Sequence, residues 1–417
     1  MQTLRAIFIA VTLSIFPVVA HAQSGAIRFS SLPAEAQANI SAALASELSG
    51  VPWAQAAKLT ASDGLQDDQL GFSIAISGDT VVVGGPSRAA YVFVKPASGW
   101  ANMTQTAELT PSDQGGGFGY TVGISGNTIV VGATSNAAAY VYVRPRQGWK
   151  NMTETAELTP QSRGIYELAV SGDTLVVSSA FNGGVSYVFV KPKGGWKSTS
   201  QANAVLTTPF YGSFCQFCVG VSGDTIAVGT PGSFGGEGTV YVFVKPSGGW
   251  QGNLNPTATL VASNGKFSDQ LGISVAVSGN TVVAGANGDG QYSGALYLFE
   301  RPTGGWKDMS ETAELTAPGS IDLGWSVAIC KNVIVGGAFL TTVGSNQFEG
   351  AAYLYIRPKS GWKTTHQFNA ELTASDGMPN AEFGASVGVS GTAAVVGAPF
   401  ATIGSNLDQG AAYVFGK

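Results

Sequence analysis

The chain has 417 residues, of which 11% are charged, 44% are aliphatic or aromatic and 57 are glycine. Acids outnumber bases 26 to 21, which argues against nucleic acid or an anionic membrane as partner, since both need clustered positive charge. Three cysteines exclude a disulfide scaffold, and the charge-poor, glycine-rich composition suits a turn-rich all-β fold whose surface is made of hydroxyls and amides.

Residues 1–22 combine Arg5, an apolar run from Ala6 to Ala20 and the small-residue site Ala20-His21-Ala22, the pattern of a cleaved signal peptide. The apolar run is shorter than the ~20 residues of a membrane span, so no membrane insertion is expected after cleavage. The mature protein is then secreted, periplasmic or held at the cell surface. Residues 23–52 read as a leader segment with one short helix at 32–48. Ser31 can cap that helix, Pro33 suits its first turn, and Ala36, Ile40, Leu44 and Leu48 share one face.

From residue 53 onward the chain repeats. Trp53, Trp100, Trp149, Trp196, Trp250, Trp306 and Trp362 mark a period of ~50 residues, and each unit carries four strand signals. In the first unit these are an alternating run at Ser73–Ser77 (A), an apolar run at Thr80–Gly84 after a Gly78-Asp79 turn (B), and a tyrosine-aromatic run at Ala90–Val94 (C). A fourth run (D) follows the tryptophan and ends in Ala-Glu-Leu-Thr or a variant. The period predicts a seven-bladed β-propeller of four-stranded blades over residues 53–417. The last unit stops after its C run, while an orphan D-like run, Trp53 to Thr60, precedes the first A run. The two are expected to complete one blade, so that an N-terminal outer strand closes the ring.

These repeats resemble the bacterial FG-GAP repeat proteins, relatives in architecture of the integrin α-subunit propeller. Phe118-Gly119 and Phe383-Gly384 supply the FG element and Gly397-Ala398-Pro399 the GAP element, with Gly84-Gly85-Pro86 and Gly229-Thr230-Pro231 as variants. The resemblance implies a secreted or surface-exposed propeller in adhesion or ligand recognition. It does not carry the integrin calcium loops with it. Every A to B connection is as short as Ser77-Gly78-Asp79-Thr80, and one acid per turn falls short of the six to eight oxygens calcium takes.

Chemistry finds little to work with. Gly384-Ala385-Ser386-Val387-Gly388 matches a nucleophile motif but sits in an A run with no strand-to-helix elbow, and His366, the one histidine beyond the leader, falls on an outer strand. Cys215-Gln216-Phe217-Cys218 runs into a strand rather than opening a helix, which favours a structural pair over a redox centre. Asp63, Asp113 and Asp376 lie in Ser-Asp-Gly-like turns, where the side chain bonds backbone amides, with a loop cation as the alternative. Asn287-Gly288-Asp289-Gly290 allows the same two readings. No catalytic residue, metal site or cofactor is assigned.

The two faces of the expected ring differ. A to B and C to D connections are short and uniform, whereas D to A and B to C connections vary and share the other face, and variable loops on a rigid scaffold are where binding concentrates. On that face Phe72, Tyr120, Tyr166, Phe217, Ile273 and Trp325 stand just before the A runs and form a collar, for which inter-blade packing is the alternative. The long loops of units six and seven add Asn346 and Glu349, and Asn406 and Asp408. The expectation is a monomeric, non-enzymatic binding or adhesion propeller for an extracellular protein or glycan, with Phe72, Tyr120, Tyr166, Phe217, Trp325, Asn346, Glu349, Asn406 and Asp408 as ligand-binding residues. The alternatives are an extracellular polymer-acting enzyme using Glu349 and Asp408, and a structural module of the cell envelope.

Overall fold

The computed structural model describes residues 52–113, 116–160, 165, 167–179, 185–209 and 218–417. The expected signal peptide at 1–22 and helix at 32–48 lie outside them. Pro52–Lys417 is one compact unit, and its strands form seven sheets, each ordered A-B-C-D from the axis outward. The architecture is an all-β, seven-bladed propeller. Blade 7 takes its D strand from the start of the unit: Ala54–Thr60 pairs antiparallel with Ala411–Gly416, setting Leu59 opposite Ala412.

Burial follows the position of each strand in its blade. B strands are covered on both faces by neighbouring blades, and Thr80–Gly84, Thr128–Ala133, Thr225–Gly229 and Thr281–Ala286 are buried at every residue. That is why they read as continuous valine and isoleucine runs rather than alternating ones. D strands are covered on one face only and alternate, as in Ala107–Leu109 and Ala313–Leu315. The A strands line a central channel of about 260 Å³.

The core is divided among the seams between blades. Seven apolar clusters occur among the described residues, each shared by two adjacent blades. The periodic tryptophans fill them: Trp149, Trp196, Trp250, Trp306 and Trp362 each sit buried in one seam, while Trp100 and Trp53 pack partly buried against two more. The residues after each tryptophan also reach the preceding blade. Met103–Thr104, Gly252–Leu254 and Met309–Ser310 add a fifth, parallel strand outside the D strand of the blade before.

Two further contacts fix the seams. On the uniform face, the terminal serine of each A strand accepts a hydrogen bond from the turn amide of the next blade: Gly126 to Ser77 (3.2 Å), Gly172 to Ser125 (2.9 Å), Gly279 to Ser222 (3.1 Å) and Gly78 to Ser390 (3.0 Å). Blade 6 has the free thiol of Cys330 at that position. On the variable face, the last glycine of a B strand lies against the carbonyl of the FG-type glycine of the next blade. A Cβ on Gly285 would fall 1.9 Å from the Gly324 oxygen, and one on Gly397 2.0 Å from the Gly71 oxygen. Serines 274, 326 and 386 donate to these same carbonyls, of Gly324 (2.6 Å), Gly384 (2.8 Å) and Gly71 (2.6 Å). The obstacle to a side chain is therefore backbone, which cannot swing aside.

Gly285→Ala is expected to destabilise the ring by about 3 kcal/mol, the upper part of the overpacking range. Gly248→Ala, where no atom lies within 4 Å, should stay within about 0.5 kcal/mol of the parent. Chemical unfolding of the two variants checks this, and equal stabilities would remove the steric argument.

Candidate functional site

The variable face is built from loop pairs. Over four consecutive seams the B to C loop of one blade lies parallel to the D to A loop of the next and the two are joined by backbone hydrogen bonds. Between blades 4 and 5, Gln270 N donates to Gly236 O (2.8 Å) and Leu271 N to Glu237 O (2.9 Å). Between blades 5 and 6 the pairs are Asp322 to Tyr292 (2.8 Å) and Leu323 to Ser293 (3.2 Å). Glu382 to Phe348 (3.2 Å) and Phe383 to Glu349 (2.7 Å) join blades 6 and 7, and Gln69 to Asp408 (2.9 Å) and Leu70 to Gln409 (2.9 Å) join blades 7 and 1. The loops differ in sequence, yet their backbones are held like short strands.

That pairing fixes the expected polar residues in structural roles. Glu349 is buried, accepts a hydrogen bond from Asn346 Nδ2 (2.7 Å), and fills the slot left by Gly377, where a Cβ would collide with its carboxylate. Blade 7 repeats the arrangement with an amide: Asn406 Nδ2 donates to Gln409 Oε1 (3.0 Å) and to Gly64 O (2.9 Å), and Gln409 is buried over Gly64. These side chains clasp one loop to the next. Asp408 is half-buried with φ 54° and acts on Glu382, the residue before Phe383-Gly384. Burial, and then the Asp408 charge, push the Glu382 carboxyl up to about 7. At the same position of blade 6, burial pushes Asp322 up to about 6, and a hydrogen bond from Asn287 opposes the shift.

The collar packs in pairs. Phe72 and Tyr120, both half-buried, meet with ring centroids 5.0 Å apart, and Trp325, also half-buried, stacks on Phe339 at 4.6 Å. Ile273 and Ala385 are buried. Tyr166 and Phe217 lie outside the described residues, as does Cys215; Cys218 is disulfide-bonded. The polar turn residues also have defined partners. The strand C tyrosine reaches them, as in Tyr140 to Asp113 (2.8 Å) and Tyr297 to Asn264 (3.0 Å), and Lys58 bridges to Asp376 (2.6 Å).

The face also presents large apolar side chains to solvent. Among the described residues, seven of the eight exposed large hydrophobic residues lie on its loops, the exception being Val261 on a D strand. Phe234 and Phe267 crown the seam of blades 4 and 5, Tyr292 and Ile321 that of blades 5 and 6, Phe348 that of blades 6 and 7, and Leu407 and Leu65 that of blades 7 and 1. Phe267 is 80% exposed and Tyr292 60%, more than a packing role requires. Phe234, Tyr292 and Phe348 have φ of 51°, 71° and 55°, a backbone region that disfavours bulky residues. The crest thus follows the four stitched seams. The sequence analysis named none of these residues, whose signal was large apolar side chains among Gly, Ser and Lys, out of phase with any strand.

The FG-GAP repeat family matches residues 53–94, 103–143, 255–299 and 367–415. The chain carries FG-GAP repeats. Each FG-GAP match runs from a D strand through the A, B and C strands of the next blade, so the repeat is offset from the blade by one strand, and Ala54–Thr60 belongs to the first repeat and to the last blade. No curated protein matches the sequence. Among solved structures, the WD40 β-propeller domain of Doa1 superposes with a TM-score of 0.54 at 11% identity, covering 88% of this chain and 98% of that one. The computationally designed Ika8 protein gives 0.48 at 14%, covering 87% and 99%. Likeness at such identities concerns the fold alone. Among the described residues no helix is long and apolar enough to cross a membrane.

Glu382 sets a pH dependence. Its raised pKa means the folded state holds a proton that the unfolded chain releases, so its contribution is present at acid pH and lost as pH rises through about 7. Melting temperatures from pH 5 to 8 should fall more steeply for the parent than for Glu382→Gln. Parallel curves would contradict the assignment.

Proposed function

We propose that this FG-GAP propeller is a secreted, non-enzymatic binding module whose partner, an extracellular protein or glycan, seats on the variable face along the apolar crest. The observation that carries the reading is the confinement of Phe234, Phe267, Tyr292, Ile321, Phe348, Leu407 and Leu65 to the loops of one face, on backbones already held rigid. A pre-ordered surface binds without the cost of fixing its loops, and exposed aromatic tips are the usual anchors of such contacts. The charge-poor composition fits a partner recognised by apolar contact and neutral hydrogen bonds. The collar residues Phe72, Tyr120 and Trp325, paired at the channel mouth, hold the inner edge of that surface in shape.

The test is a secretome and glycan binding screen run in parallel with the parent and with the variant Phe234→Ser, Phe267→Ser, Tyr292→Ser. The expected outcome is a partner held by the parent and weakened by about 1–2 kcal/mol per substituted tip, while the melting temperature is unchanged because none of the three is buried. A partner that binds both proteins equally, or that maps to the uniform serine face, would contradict the proposal.

A further inference from the structure

In four blades the strand C tyrosine, the D strand residue opposite it and a D to A turn residue come together at the outer rim of the variable face. The ladder registers are Tyr91 with Glu108, Tyr140 with Glu157, Tyr297 with Glu314 and Tyr413 with Lys58. The turn residues are Asp63, Asp113, Asn264 and Asp376. In three of these blades a side chain from elsewhere in the chain donates a hydrogen bond to the turn acid. Arg88 Nη2 lies 2.9 Å from Asp63 Oδ2 in blade 1, Asn136 Nδ2 lies 2.9 Å from Asp113 Oδ2 in blade 2, and Lys58 Nζ lies 2.6 Å from Asp376 Oδ2 in blade 7.

Blade 5 differs. Where blade 1 has Arg88 and blade 2 Asn136, its B to C loop supplies another acid, Asp289. Beside Asp289 a cavity of about 320 Å³ opens, lined by Asn264, Glu314, Thr316, Ser293 and His366 among others. The Tyr297 hydroxyl lies 3.0 Å from both Asn264 Oδ1 and Asp289 Oδ2, and Asn264 Nδ2 donates to Glu314 Oε2 at 3.3 Å. His366 Nδ1 is held by Thr316 Oγ1 at 2.6 Å. Burial, and then the charges of Asp289 and Glu311, push the Glu314 carboxyl up, with His366 acting against them. So the same constellation that blades 1 and 7 close with a guanidinium and an ammonium is left, in blade 5, with two carboxylates facing an open space.

The geometry points to a binding site in blade 5 for an organic cation, an ammonium or guanidinium group donating to Asp289 and Glu314 where Arg88 and Lys58 serve their own blades. Planar guanidinium forks and compact ammonium ions both satisfy paired carboxylates, and a cavity of this size admits the group with its first few carbons. The source of the group is a small amine or a basic side chain of a macromolecular partner. The site uses none of the crest residues, although Asp289 and Ser293 share a loop with Tyr292.

The test is calorimetric titration of the full chain with agmatine, with the uncharged alcohol 1-pentanol, and with end-blocked Ala-Arg-Ala and Ala-Gln-Ala peptides. Agmatine should bind at one site per chain and pentanol and the glutamine peptide should not; a peptide as tight as agmatine identifies a partner's side chain as the source, and a peptide at least tenfold weaker identifies a free amine. Asp289→Arg, which installs the donor that blade 1 carries, should weaken agmatine at least tenfold, and Glu314→Gln at least fivefold, with the melting temperature confirming that each variant folds. No agmatine binding by the parent, equal binding by both variants, or binding of calcium that agmatine does not displace would overturn the proposal.

Discussion

The structure depends on one close approach, made at five seams among the described residues: the last glycine of a B strand, Gly84, Gly229, Gly285, Gly337 or Gly397, against the carbonyl of the FG-type glycine in the following blade. At Gly285 and Gly324, or Gly397 and Gly71, no side chain of any size fits between the two backbones. The approach brings the A strand serines within hydrogen-bonding distance of the same carbonyls, and it draws the B to C loop of one blade beside the D to A loop of the next. The FG and GAP elements are thus the two halves of one inter-blade joint, read from either side of a seam. A repeat whose stability lies in its seams gains nothing from any blade alone, which is why the ring must close.

The same joint accounts for the character of the variable face. Loops of unlike length and sequence share a backbone hydrogen-bond pattern because their ends are fixed by the glycine contact. Side chains such as Glu349 and Gln409 then lock the loops from beneath, and only the outward tips are free to differ. From blade 4 round to blade 1 those tips carry exposed apolar side chains beside polar ones such as Gln66 and Gln347, and the tyrosine constellations lie outward at the rim. The face therefore offers two kinds of surface on one rigid frame: a hydrophobic crest over the seams and a polar pocket at the edge of blade 5.

Much of the fold was legible in the sequence because strands and two-residue turns leave side-chain signatures. Ser73–Ser77, Thr80–Gly84 and Ala90–Val94 occur where alternation and the Gly78-Asp79 turn placed them. The loops were less legible, since the bonds that order them run between backbones. Glu349 reads as a surface acid beside Gly-Ser-Asn; its burial is decided by Gly377, a residue in another blade whose missing side chain makes the slot. The periodic tryptophans marked the repeat correctly, but that each fills a seam rather than its own blade follows only from the ring. His366, placed on an outer strand by the repeat, borders the blade 5 cavity because the segment after each tryptophan lies along the preceding blade.

The central claim is that the variable loops are held by paired backbones across the seams. Hydrogen exchange of the amides of Gln69, Leu70, Leu271, Asp322, Leu323, Glu382 and Phe383 tests it most directly, because each donates to the neighbouring blade or its loop. The account predicts protection approaching that of the B strands, lost together when Gly285→Ala or Gly397→Ala opens a seam. Exchange at the rate of free loops in the parent protein would contradict it.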